Sequence, residues 1–237
     1  MVAQHIIAVG GGGFSKEADN LALERYILQQ SGKTRPRVCF IPTASGDSDT
    51  YIRRFYDSFW TLACQPRHLS LFRLPTDDLQ SFVMDHDVVY VGGGNTRNLL
   101  SLWRDRELDR ILQAALQQGV VLAGSSAGSV CWFEQGVTDS NTPIGSSRLS
   151  SISCLGFLAG SNCPHYDSEI NRRPEYHRLL GEGKIGDGWA VDDGVGLHFV
   201  NGKLEATISA RCEAKAYRVA RNGKGIDEDR IEPRILG

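Results

Sequence analysis

The chain has 237 residues, with 26 lysines and arginines against 28 aspartates and glutamates, for a formal net charge of -2. That length fits a single domain, residues 1–237, with a sizeable core, and the near balance of charge leaves no basic field for nucleic acid or an anionic membrane. No window is apolar enough to span a bilayer, and Met1 leads straight into a strand-like segment without the layout of a signal peptide, so a cytoplasmic location is expected.

Ile6–Val9 reads as a strand and is followed by Gly10-Gly11-Gly12-Gly13. A helix is predicted over Lys16–Gln30, where Leu21, Leu23, Tyr26, Ile27 and Leu28 make an apolar side. Val38–Ile41 is a second strand, and Asp49–Leu62 a second helix with Tyr51, Ile52, Phe55 and Phe59 at helical spacing. Strands follow at Arg67–Leu71 and Val88–Val91, then a helix at Arg106–Gln118 and a strand at Val120–Ala123. Short apolar strands alternating with amphipathic helices predict a doubly wound α/β domain, its mostly parallel sheet covered on both faces. After about Asp187 the texture changes. Val195–Val200, Asn201-Gly202 and Lys203–Ile208 read as a hairpin, and Ala214–Ala220 before Asn222-Gly223 as another. These C-terminal antiparallel hairpins are expected to extend or flank the sheet.

The chemistry concentrates at Gly124-Ser125-Ser126-Ala127-Gly128, a G-x-S-x-G pentad directly behind the apolar run Val120-Val121-Leu122-Ala123. A serine at the sharp bend between a buried strand and a helix is a nucleophile elbow, with its Oγ exposed and the next backbone amide ready for an oxyanion. Val91-Gly92-Gly93-Gly94-Asn95-Thr96 is a second glycine turn behind a strand. It reads as an anion-binding concavity, as a plain turn capped by Asn95 or Thr96, or as both. The first cluster does not read as a dinucleotide loop, because G-x-G-x-x-G from Gly10 requires glycine at a position held by Ser15.

An attacking serine needs a base. Of six histidines, His165 stands out in the loop-like Ser161-Asn162-Cys163-Pro164-His165-Tyr166-Asp167. The carboxylate that would orient it is Asp139, Asp167, Asp192 or Asp193, and spacing does not choose among them. Cys39, Cys64, Cys131, Cys154, Cys163 and Cys212 are scattered, with no C-x-x-C and no zinc spacing, as in a reduced protein.

Taken in order, Val91–Thr96, Gly124–Gly128, Pro164-His165-Tyr166 and Asp193-Gly194 resemble the peptidase E family of serine peptidases, which includes aspartyl dipeptidase and cyanophycinase. The resemblance implies a flavodoxin-like sheet similar to that of class I glutamine amidotransferases, and no metal or organic cofactor. It makes Ser126 the nucleophile, His165 the general base and acid, and Asp193 the acidic partner, where well-known members carry a glutamate. Asp192 remains the alternative acid. The amides of Gly93 or Gly94 and of Ala127 would form the oxyanion hole.

For a substrate with N-terminal aspartate, Arg172 and Arg173 are candidates to pair with its carboxylate and Glu169 to receive its α-amine, with Asn95 near the site. A solvated charged helix face is the plain alternative for these charges. The expected partner is a short peptide, most simply a dipeptide with N-terminal aspartate. A β-aspartyl, cyanophycinase-like preference and a non-catalytic binding protein on the same fold are the other readings. A homodimer is left open.

Overall fold

The computed structural model describes residues 2–17, 19–143, 148–223 and 225–237. Along the chain these form β1 (His5–Val9), α1 (Ala22–Gln29), β2 (Arg37–Ile41), α2 (Asp49–Phe59), β3 (Gln65–His68), α3 (Leu79–Met84) and β4 (Val88–Val91). Next come α4 (Thr96–Asp105), α5 (Leu108–Gln117), β5 (Val121–Ser125), α6 (Ala127–Val130), β6 (Phe133–Thr138), β7 (Ser150–Ser153) and β8 (Leu158–Cys163). The last part holds α7 (Arg172–Gly181), β9 (Gly188–Val191), β10 (Val195–Val200), β11 (Lys203–Ser209), β12 (Ala216–Asn222), β13 (Gly225–Ile231) and β14 (Arg234–Ile235).

An eight-stranded sheet runs in the order β14-β11-β10-β1-β5-β4-β2-β3. Its β1, β5, β4, β2 and β3 are mutually parallel, and β10 and β11 extend it as an antiparallel hairpin. Alternate side chains on each strand serve opposite faces. Ile6, Ala8, Cys39, Ile41, Val89 and Val91 pack with Leu99, Trp103 and Leu112 of α4 and α5. Ile7, Val9, Val38, Phe40, Val88 and Tyr90 pack with Leu23, Ile27, Phe55 and Phe59 of α1 and α2. Each such large apolar side chain contributes about 1.5–3 kcal/mol on full burial, which is why the strands read as continuous apolar runs. Register aligns Val9 with Ser125 and Val91 with Gly124, so the loops after β1, β4 and β5 open at one edge. Ligands of open α/β sheets bind at that edge.

A second sheet, β13-β12-β9-β8-β6-β7, has α7 packed on it through Tyr176, Leu179 and Leu180, against Val137, Cys163, Ala190 and Val219. Its β6, β7 and β8 are not among the predicted strands. The β12–β13 hairpin belongs here rather than at the edge of the first sheet.

Several predicted bounds move. The first helix starts at Ala22, not Lys16, because Gly13–Ser15 forms a tight 3₁₀ turn and the Asn20 side chain turns away to the Ala210 carbonyl. Ala18, inside the predicted range, lies outside the described residues. The third strand is Gln65–His68, two residues earlier at its start than expected, paired in register with Arg37–Phe40.

Candidate active site

Ser126 sits between β5 and α6 with φ 58° and ψ -116°, a strained conformation for a residue with a Cβ. Its amide is held by the Val9 carbonyl at 3.1 Å, tying the bend to the end of β1. The two pentad glycines follow from crowding. A Cβ on Gly124 would lie 2.3 Å from the Gly128 carbonyl oxygen, and one on Gly128 would lie 2.2 Å from that of Val91. No larger residue fits either place without moving backbone. Gly93 lies against the serine, its would-be Cβ 3.1 Å from Ser126 Cβ.

His165 follows β8 and shares the left-handed φ of 58°. Its Nε2 is 2.8 Å from Ser126 Oγ and its Nδ1 is 2.6 Å from Asp193 Oδ1. A continuous chain of three side chains results, with His165 and Asp193 both buried and Ser126 half-buried. Strain at two of its three members matches the pattern in which uncommon backbone is retained at functional sites.

The choice among carboxylates is geometric. Asp193 contacts the imidazole, whereas Asp192 Oδ2 accepts from the Lys215 amide at 2.8 Å. Asp167 Oδ1 accepts from the Asp193 amide, and Asp139 is exposed beyond β6. The two neighbouring aspartates also differ in charge preference. Burial acts to raise the Asp193 carboxyl, but the hydrogen bond and charge of His165, joined by Lys16, outweigh it and hold the group well below the usual carboxylate range. Burial pushes Asp192 up to about 6, despite the Lys215 amide. Asp193 is thus the neighbour whose ionised form the surroundings favour, and it is the one against the imidazole.

The first glycine cluster belongs to this site. A Cβ on Gly11 would fall 2.0 Å from Asp193 Oδ1 and 2.6 Å from His165 Nδ1. A Cβ on Gly10 would fall 2.3 Å from the Asp192 carbonyl oxygen. The cluster makes room for the imidazole–carboxylate pair rather than for a nucleotide.

The other expected site residues are engaged locally. Asn95 caps α4, its Oδ1 accepting from the Asn98 amide at 2.9 Å. The Gly93 amide donates to the Tyr51 hydroxyl at 3.3 Å, while Ala127 opens α6. Gly94 adopts φ 138°, and a Cβ there would lie 2.2 Å from the Ala44 carbonyl oxygen. Arg172 is buried, donating to Val137 O at 3.0 Å and to Glu169 at 2.6 Å. Arg173 pairs with Glu228 at 2.7 Å and stacks over the rings of Tyr166 and Tyr217. The remaining histidines lie elsewhere: His5 with His198, His68 with Tyr56, His86 with the Phe82 carbonyl, and His177 with Tyr166 and Glu228.

Three site neighbours carried no signal in the sequence: Lys16, whose Nζ is 3.0 Å from Asp193 Oδ2, Tyr51 on the Gly93 amide, and Arg211 near Asp193. Each is brought in by pairing across more than 15 residues, which no local pattern displays. Among the described residues no group of three or more His, Cys, Asp or Glu is arranged to hold a metal ion, and no helix is long and apolar enough to cross a membrane.

Comparison with known proteins shows the family of the chain. The family model for peptidase family S51 matches residues 6–207. An uncharacterized peptidase of Bacillus subtilis, YgaJ, is 57% identical over 234 residues, covering 99% of this chain and 100% of that protein. A probable alpha-aspartyl dipeptidase of Drosophila melanogaster is 32% identical over 139 residues, 57% of this chain and 55% of that one. A peptidase from an acI-B1 actinobacterium shares the fold with TM-score 0.73 at 17% identity, over 97% of this chain and 94% of that structure. A putative peptidase E from Listeria monocytogenes does so with TM-score 0.63 at 16% identity, over 98% and 100%. The chain belongs to peptidase family S51 and is a serine-type peptidase.

Proposed function

We propose that the chain is a serine exopeptidase of short peptides, with dipeptides carrying N-terminal aspartate as its main substrates. The observation that carries this reading is the unbroken hydrogen-bonded chain from Ser126 Oγ through His165 to Asp193. Ser126 Oγ attacks the peptide carbonyl while His165 Nε2 takes its proton. Asp193 holds the imidazole in the tautomer with Nδ1 protonated and stabilises the imidazolium that forms. The amides of Ala127 and of the Gly93-Gly94 turn stabilise the oxyanion. Because the Gly93 amide donates to Tyr51, Gly94 is the donor of that turn in this proposal. His165 then protonates the leaving amine and activates the water that hydrolyses the acyl-enzyme.

Substrate preference rests on the aspartyl dipeptidase name of the Drosophila relative and on the cations of the site. Arg172 is buried on its own partners, so Arg173, which is paired with Glu228 but keeps a half-exposed side chain, is the arginine assigned to the substrate carboxylate. Relative kcat/KM on Asp-Leu, β-Asp-Arg and Ala-Leu tests the reading. Preference for Asp-Leu is expected. Preference for β-Asp-Arg would replace it with a β-aspartyl peptidase, and failure on all three would remove the dipeptidase assignment.

A further inference from the structure

Asp193 is held by its backbone as well as by its carboxylate. Its amide donates to Asp167 Oδ1 at 2.8 Å. The Arg211 guanidinium bridges back, with Nη1 donating to Asp167 Oδ2 at 3.0 Å and to the Asp193 carbonyl at 2.9 Å. Asp167 lies two residues beyond His165, so the imidazole loop and the carboxylate loop are joined by a second route besides the imidazole–carboxylate bond. Arg211 is itself anchored: its amide donates to Ser209 Oγ at 3.0 Å, and that hydroxyl lies 3.2 Å from the Gly194 carbonyl. Gly194, with φ 80°, lets the arginine stem pass, since a Cβ there would fall 2.6 Å from Arg211 Cδ. On the opposite side the Gly194 amide donates to the Gly11 carbonyl at 2.9 Å.

An aspartate carboxylate stands one methylene, about 1.5 Å, closer to its backbone than a glutamate carboxylate does. To bring Oδ1 to 2.6 Å from Nδ1, the backbone at 193 must come correspondingly close to His165. The glycine at 11 leaves room for this close pair, since a Cβ there would fall 2.0 Å from Asp193 Oδ1 and 2.6 Å from His165 Nδ1. Such proximity has to be maintained, because a misplacement of about 1 Å costs on the order of a hundredfold in rate.

We propose that Asp167 and Arg211 are positioning residues that clamp the 193 backbone at the distance from which an aspartate, and not a longer carboxylate, reaches His165. The inference rests on the Ser126–His165–Asp193 reading above. It concerns geometry alone: the charged groups around the pair are Lys16 on the Asp193 carboxylate, Asp192 turned to Lys215, and the clamp itself.

The test is the rate at which a fluorophosphonate labels Ser126, a readout that needs no peptide. Arg211→Met should slow labelling by about tenfold or more, as should Asp193→Glu, whose longer side chain overshoots in the clamped frame. Asp167→Ala serves as the second clamp variant, and thermal melting checks that each protein is folded. The double variant Arg211→Met with Asp193→Glu should label faster than either single variant, because the released backbone can retreat from the longer acid. A simple loss of structure would not produce that rescue. Labelling of both clamp variants at the wild-type rate, or multiplicative loss in the double variant, overturns the clamp. Failure of wild type to label at Ser126, or an Asp193→Ala variant as fast as wild type, overturns the catalytic reading and the clamp with it.

Discussion

Ser129 Oγ donates to Asn162 Oδ1 at 3.1 Å, with both side chains fully buried. Ser129 lies one turn into the short helix that follows Ser126, and Asn162 three residues before His165. The bond therefore joins the arm carrying the serine to the arm carrying the imidazole. Asn162 Nδ2 has no partner among the described residues, so Oδ1 carries the side chain's hydrogen bonding. Ser129→Ala should cost about 1–3 kcal/mol in denaturant unfolding, since it leaves a buried amide unpaired. Unchanged stability would show that the pair contributes nothing to holding the arms.

The Gly11 position leads to a sharper expectation. A methyl group there meets Asp193 Oδ1 at 2.0 Å and the imidazole at 2.6 Å, so Gly11→Ala should lower kcat by about a hundredfold or more. Gly223→Ala, with open space around its would-be Cβ, serves as the control and should retain activity. Comparable activity of the two variants in a steady-state assay would contradict the packing described here.

Asp193→Asn should reduce kcat by about 10⁴-fold, because an amide at this place favours the wrong imidazole tautomer. Asp192→Asn should change it by less than about threefold: burial already disfavours the ionised form, and an amide oxygen can still accept from Lys215. Parallel measurement of the two variants decides, and the reverse ranking would move the acidic role to Asp192.

Much of this site was legible in the sequence because its parts are local. The elbow shows itself in five consecutive residues behind an apolar strand, and the parallel strands in runs such as Val38–Ile41 that are buried on both faces. The β6, β7 and β8 part of the second sheet was not legible, although its C-terminal hairpin was. Its strands Phe133–Thr138, Ser150–Ser153 and Leu158–Cys163 are rich in serine, glycine and other polar residues, and they are stabilised by pairing with distant neighbours rather than by an apolar pattern. Arg172 misled for a related reason. An arginine in a polar helix reads as surface, but its guanidinium is turned inward to the Val137 carbonyl. The choice between Asp192 and Asp193 depends on which way adjacent side chains leave one loop, information that only the fold contains.

At the far end of β1, His198 lies between His5 Nδ1 at 2.9 Å and the Tyr26 hydroxyl at 2.8 Å, with Arg234 over the Tyr26 ring. Burial, with the charge of His5, pushes His198 down from its ordinary 6.5 to about 4. The folded protein thus keeps this imidazole neutral where the unfolded chain protonates it. The stabilisation is complete above about pH 6.5 and is lost as pH falls toward about 4. His198→Gln should flatten the fall in Tm across that window. An equal fall in the variant would assign acid sensitivity to other groups.

The most direct test of the account is leucine release from Asp-Leu by wild type and Ser126→Ala, measured side by side on proteins shown by melting to be folded. Hydrolysis by wild type and none above trace level in the variant is the predicted result. Hydrolysis that persists in Ser126→Ala would contradict the assignment of this serine as the nucleophile.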